Sequence, residues 1–218
     1  TDTGPFIEAA GKVAHIVRDL RADGISLKYL DLGGGLGIPY QEEPPPPSEY
    51  AAALMAPLRG LGVKFIIEPG RVLVGNAGIL VTKVLYVKET DVKRFIVIDG
   101  AMNDLIRPVL YEAFHEIRPV VRRDQRPIVT ADVVGPVCES GDFFAREREI
   151  PEVRSGDLLA VMSAGAYGFV MASNYNSRPR PAEVIVNGAE FAVVRERDNF
   201  EDLIRGEKLV TLKPGPEA

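Results

Sequence analysis

Leu32-Gly33-Gly34-Gly35-Leu36-Gly37 closes an apolar run at residues 27–32, and Glu68-Pro69-Gly70-Arg71 closes a second at residues 63–67. A short apolar run that ends in a glycine-rich turn is the pattern of a buried parallel strand passing into a functional loop. Each run follows a helical pattern. Before the first, Thr3 is placed to cap a helix and Pro5 suits its first turn. Phe6, Ala10, Val13, Val17 and Leu20 recur at spacings of three and four, and Gly24 ends the segment. Before the second, Ser48 is a candidate cap for a helix running through Leu54 and Leu58 to Gly60. The order helix, strand, helix, strand reads as an α/β layer with parallel strands.

Beyond about residue 76 the texture changes. Strand-like runs occupy residues 79–87, 95–98, 129–134 and 158–162, and helical patterns become few. Asn187-Gly188, between two alternating runs, predicts a tight hairpin whose two central residues both take positive φ. A short helix is expected at residues 200–204, capped by Asp198 or Asn199, before a polar tail that frays. The chain thus divides into an α/β part, residues 1–76, and a β-rich part, residues 77–218. There are no internal repeats. Residues 44–47, all proline, form a stiff segment that reads either as a surface loop or as a rim over a site.

The 218 residues, 46% hydrophobic and 26% charged, describe a globular chain long enough to bury a core. With 26 basic and 31 acidic residues the net charge is -5, which supplies no basic footprint for nucleic acid or an anionic membrane and favours small-molecule chemistry. One cysteine excludes an internal disulfide, and no apolar run approaches the roughly 20 residues needed to span a bilayer. The single cysteine, with no secretory pattern at the start, favours the cytoplasm.

Bare backbone N–H groups in Gly33-Gly34-Gly35 can approach an anion closely, because no side chain holds it away. Gly70-Arg71 repeats the arrangement and adds a guanidinium. Two such loops after successive parallel strands suit a phosphate, as in (β/α)8 barrels, where the loops after the last strands commonly build that site. Glu68, at the end of an apolar strand, calls for a cationic partner, either Arg71 or a protonated pyridine nitrogen of a cofactor. Cys138 stands in a polar, turn-forming loop with Gly135, Pro136, Glu139, Gly141 and Asp142, the setting of a reactive rather than a core thiol. Tyr167, flanked by Gly165, Ala166 and Gly168, has little beside it and its hydroxyl is free to reach a ligand. Arg107 and Tyr111, four residues apart, suit either a carboxylate clamp or a cation resting on a ring. His15 and His115 read as surface residues, and no group of side chains has metal-ligand spacing.

Read in order, DLGGGLGIPY, IEPGR, IRPVLYEA, GPVCESGD and AGAYGFVMASNYNSRP resemble the diaminopimelate decarboxylase family, and the resemblance runs from residue 1 to about residue 206. It implies the last part of a pyridoxal phosphate-binding (β/α)8 barrel of the alanine-racemase-like kind, followed by a β-rich domain. Gly34, Gly35, Gly70, Arg71 and Tyr167 would then bind the cofactor phosphate, and Glu68 the pyridine nitrogen. Arg71, Arg107, Tyr111, Glu139 and Tyr167 would surround the substrate. Cys138 would reach into the partner subunit's site of a head-to-tail homodimer as proton donor. The implied reaction takes CO2 from meso-2,6-diaminopimelate and yields L-lysine, the last step of lysine biosynthesis. The sequence Cys138-Glu139 differs from the Cys-Asp of related ornithine and arginine decarboxylases, which remain the alternative together with a non-catalytic binding or regulatory homologue.

One family part has no counterpart. The cofactor-bearing lysine and the ring-stacking histidine belong to segments upstream of Thr1-Asp2-Thr3-Gly4-Pro5-Phe6, so the resemblance implies that the chain starts in mid-barrel and is inactive alone. Lys28, Lys83 and Lys88 lie in unmatched contexts. A 76-residue portion cannot close a barrel of about 250 residues, and open parallel strand edges are expected.

Overall fold

The computed structural model describes residues 3–122 and 125–212. Thr1 and Asp2 of the opening motif and the end of the polar tail lie outside them. Two structural units follow one another along the chain, each built round its own apolar cluster.

The first unit has the expected order. Helix α1 (Gly4–Ala22) precedes strand β1 (Tyr29–Asp31), and helix α2 (Pro47–Met55) precedes strand β2 (Lys64–Ile66). Ala10, Ala14 and Val17 recur at helical spacing and are buried on α1 against Tyr50, Leu54 and Leu58. Phe6 meets the Tyr50 ring edge-on at 5.3 Å. Strands β1 and β2 pair in parallel, Leu30 opposite Phe65, and the ladder continues into the loops through Leu32 N–H to Ile66 O (3.0 Å) and Glu68 N–H to Gly33 O (2.7 Å). Both caps proposed from sequence are corrected. Thr3 stands at the start of α1 but its side chain makes no capping bond, because its backbone is already helical. Ser48 lies inside α2, whose first residue is Pro47: the fixed φ of proline is preset for a first helical turn.

The second unit is a six-stranded sheet ordered β5-β8-β3-β4-β6-β7. Its strands are β3 (Leu80–Glu89), β4 (Arg94–Ile98), β5 (Ile117–Pro119), β6 (Ile128–Val134), β7 (Phe143–Pro151) and β8 (Leu158–Val161). All neighbours are antiparallel except β4 and β6. The end strands β5 and β7 come back into contact, so the sheet curls round Val84, Ile98, Leu105, Val133, Phe144 and Leu159. Two of these strands, β5 and β7, escape the sequence reading.

A short helix, α3 (Arg107–Tyr111), follows β4. The hairpin is β9 (Glu183–Asn187) with β10 (Glu190–Arg195), but Asn187 pairs with Glu190, so the central residues are Gly188 and Ala189. Only Gly188 has positive φ (60°), the pattern of a II′-type turn rather than the I′ turn expected. Helix α4 (Phe200–Leu203) opens on a capping box between Asn199 and Asp202.

Candidate functional site

The two glycine loops lie side by side at the end of the β1–β2 pair. A Cβ on Gly34 would sit 2.0 Å from the carbonyl oxygen of Glu68, so only glycine permits the approach. The Tyr50 hydroxyl donates to Gly34 O (3.2 Å), which fixes the loop from below, and Gly35 packs on the Phe6 ring. Among the described residues the backbone N–H groups of Gly34, Gly35 and Gly70 donate to no other protein group, whereas that of Gly33 is taken by Asp31 Oδ1 (2.8 Å).

Tyr167 comes to this place from the far unit. A Cβ on Gly70 would lie 3.4 Å from the Tyr167 hydroxyl, and the Arg71 guanidinium stands 5.8 Å from the centre of the Tyr167 ring. Tyr167 has positive φ (59°), an uncommon conformation for a tyrosine that turns its half-exposed ring toward Arg71. The approach depends on the 164–165 stretch packing on residues 75–78: Ala164 N–H donates to Gly78 O (2.8 Å) and Gly165 N–H to Gly75 O (2.9 Å). Free amide donors, a guanidinium and a phenol hydroxyl thus share one cradle. This donor set fits the phosphate ester of pyridoxal phosphate.

Glu68 corrects the sequence reading. It is exposed beyond the end of β2 and, among the described residues, forms no ion pair, so no burial cost demands Arg71 as its partner. The proline segment packs over the same loops: Pro44 faces Gly37, and a cavity of about 420 Å³ lies between the prolines, Ile38, Val72 and Asn76.

Cys138 and Glu139 stand together on the loop between β6 and β7, and the Cys138 thiol is exposed and free. Buried Asp142 holds this loop. Its carboxylate accepts from the N–H groups of Val137 and Met102, both at 2.7 Å, and burial pushes its pKa up while those bonds oppose the rise. Glu139 accepts from Gly141 N–H through Oε1 (3.2 Å) and from the Tyr175 hydroxyl through Oε2 (3.1 Å). These bonds, the amide first, hold its carboxyl below the usual range. Tyr175 is presented by a loop in which Asn176 and Ser177 both take positive φ, and Arg178 pins that loop to Asn103 Oδ1 (3.0 Å) and Asp99 O (2.6 Å).

Arg107 and Tyr111 share α3 but not an environment. Tyr111 is 61% exposed, whereas Arg107 is 5% exposed and donates through Nη1 to the Tyr40 hydroxyl (2.8 Å). The same Nη1 meets His115 Nε2 at 3.1 Å. His115, read as a surface residue, is wholly buried, and this is a correction: its place at the end of a charged run is overridden by the turn that sends β5 into the sheet. His15 is exposed, beside Asp19 at 3.5 Å. Sequence reasoning also passes over Tyr40, Asp142 and Tyr175 as ligands of other site residues. Only the polar character of Tyr40 and Tyr175, within otherwise assigned motifs, hints at them.

Comparison with known proteins identifies the family. The family model described as the C-terminal sheet domain of pyridoxal-dependent decarboxylases matches residues 14–165. The chain is 48% identical over 205 residues to the diaminopimelate decarboxylase of Aquifex aeolicus, covering 93% of this chain and 49% of that protein. For the Vibrio cholerae enzyme the identity is 50%, with the same coverage. The crystal structure of the M. jannaschii diaminopimelate decarboxylase in co-complex with L-lysine superposes with a TM-score of 0.91 at 39% identity, covering 96% of this chain and 50% of that one. The Helicobacter pylori enzyme complexed with L-lysine gives 0.86 at 45% identity, covering 94% and 50%. The chain spans about half the length of the curated relatives it matches. The family match runs across the junction of the parallel β1–β2 unit and the curled, mainly antiparallel sheet, and it leads to one assignment: this chain belongs to the pyridoxal-dependent decarboxylases, in the part that bears their C-terminal sheet domain.

Proposed function

We propose that the chain supplies the phosphate cradle and the substrate-recognition loops of a diaminopimelate decarboxylase, which converts meso-2,6-diaminopimelate to L-lysine and CO2 as the last step of lysine biosynthesis. One observation carries the reading: Gly34, Gly35 and Gly70 keep unspent amide donors on two adjacent loops, and Arg71 and Tyr167 stand beside the second of them. Pyridoxal phosphate, when bound, supplies an electron-withdrawing ring that stabilises the electron pair left at the α-carbon by departing CO2. The chain's own residues do the rest. The cradle orients the phosphate, and the Glu68 carboxylate keeps a proton on the pyridine nitrogen. Arg71, Arg107, Tyr111 and Tyr167 grip the amino acid, and the Glu139 carboxylate, held ionised by Gly141 and Tyr175, receives a distal ammonium. The Cys138 thiol, exposed on its loop, returns a proton to the α-carbon.

Residues 1–76 form the barrel part and residues 77–218 the sheet domain. The exposure of the Cys138–Glu139 loop suits a homodimer in which that loop enters the partner's site, and the reaction is a cytoplasmic one. Lys28, Lys83 and Lys88 are exposed, the last two on β3, and none of them stands in a context that matches the family's cofactor-bearing lysine, so the chain alone is expected to be inactive.

Complementation tests this. Mixed with the N-terminal half of the Aquifex aeolicus relative, the chain should bind pyridoxal phosphate with a new visible absorbance and release CO2 from diaminopimelate. Cys138→Ala should then reduce turnover far more than cofactor binding. Equal loss of both would remove the thiol from its role, and cofactor binding without CO2 release from diaminopimelate would overturn the substrate.

A further inference from the structure

We propose that His115 is a positioning residue for Arg107: its neutral imidazole holds Nη1 of the guanidinium and so sets the direction in which Nη2 and Nε face a carboxylate ligand. The inference rests on the reading of Arg107 as a substrate ligand.

The partners at the two ends of the ring fix its tautomer. His115 Nδ1 lies 2.8 Å from the carbonyl oxygen of Met162, which can only accept, so Nδ1 carries the proton. Nε2 lies 3.1 Å from Arg107 Nη1, which can only donate, so Nε2 is the bare acceptor. Both hydrogens of Nη1 are then spent, one on His115 and one on the Tyr40 hydroxyl at 2.8 Å. The Tyr40 ring also stands edge-on to His115 at 5.7 Å, which limits ring rotation.

The charge environment keeps the ring neutral. The groups facing it are Arg107 from α3, Arg148 from β7, which donates to the His115 carbonyl oxygen (2.8 Å), and the phenol of Tyr40. Burial lowers the imidazole pKa first, and both cations lower it further against the Met162 bond. A guanidinium clamped at one nitrogen by a buried imidazole and a half-buried phenol presents its remaining donors in one orientation, which suits the planar fork of a carboxylate. A buried histidine serving only as core would need no acceptor facing an arginine.

Two experiments decide it. Nitrogen-15 NMR of the imidazole in the chain itself should show a neutral ring protonated at Nδ1 from pH 8 down past 6.5; a proton on Nε2 at neutral pH overturns the proposal. In the complemented, pyridoxal phosphate-loaded protein, calorimetric titration of L-lysine should show His115→Phe binding about tenfold more weakly. His115→Gln, which retains an acceptor, should recover most of this, and cofactor affinity should stay unchanged in both. The double variant His115→Phe with Arg107→Lys should bind no more weakly than Arg107→Lys alone. Loss with Arg107→Lys but none with His115→Phe overturns the positioning role. No loss with Arg107→Lys removes Arg107 from the ligand set, which is the distinct failure of the underlying reading. The NMR result stands independently if His115→Phe does not fold.

Discussion

Gly78 and Gly165 meet backbone to backbone: a Cβ on Gly78 would lie 2.5 Å from Gly165 Cα, and one on Gly165 would lie 2.0 Å from the carbonyl oxygen of Val74. This contact carries Tyr167 from the sheet to the glycine loops.

Gly165→Ala should therefore act on stability and cradle together. The clash is with backbone, which cannot swing aside, so a loss of about 1–3 kcal/mol is expected in urea unfolding. Phosphate affinity should fall as well. A variant of unchanged stability and unchanged phosphate affinity would contradict the contact.

Asp142→Ala removes the acceptor shared by Val137 and Met102, leaving two N–H groups without a partner. Each buried unsatisfied group costs about 1–3 kcal/mol. The Cys138 loop should loosen, so alkylation of this thiol by iodoacetamide should speed up while Asp142→Asn, which keeps one carbonyl acceptor, shows a smaller change.

Tyr175→Phe deletes one of the donors that lower the Glu139 pKa. Carboxyl carbon-13 NMR should find Glu139 titrating nearer the ordinary glutamate value, with the Gly141 bond maintaining part of the shift. No movement would mean that the two side chains do not bond in solution.

Stability should decline in moderate acid through His115. An unfolded imidazole takes its proton near pH 6.5, whereas buried His115 takes it only at lower pH. Its contribution is therefore intact above about pH 6.5 and is lost as pH falls below that value. Asp198, lowered to about 2 chiefly by the bond from Arg180, adds a further loss below its unfolded value of about 3.9. Asp104 and Asp142, raised by burial, act in the opposite sense as acid protonates them. Urea midpoints at pH 7.5, 6 and 5 for the protein and for His115→Phe separate the first effect, since the variant should lack the slope between 6.5 and 5.

The sequence announces the local features and conceals the distant ones. Strands β1, β2, β3, β4, β6 and β8 show as apolar runs, although β1 and β2 are exposed at two of their three positions, and the Asn199 capping box is written within four adjacent residues. Strand β7 is hidden because Phe143–Pro151 carries four consecutive charged residues, Arg146 to Glu149, which interrupt its apolar ends, and β5 is only three residues long. The same division applies to the site. The glycine loops and Cys138 are recognisable where they stand, but the burial of His115 and the exposure of Glu68 follow from what folds over them. No local pattern states that Tyr40, Arg107, His115 and Met162 form one chain of hydrogen bonds.

Arg178 grips Asn103 and Asp99, which lie 75 and 79 residues earlier in the chain. Tyr175, three residues before it, can take up its position against Glu139 only after that long segment has come home. A contact of such sequence separation costs loop-closure entropy before it stabilises anything, so it forms after local helices and hairpins. The Tyr175–Glu139 contact should therefore mature late, when the strands on either side of it are already paired.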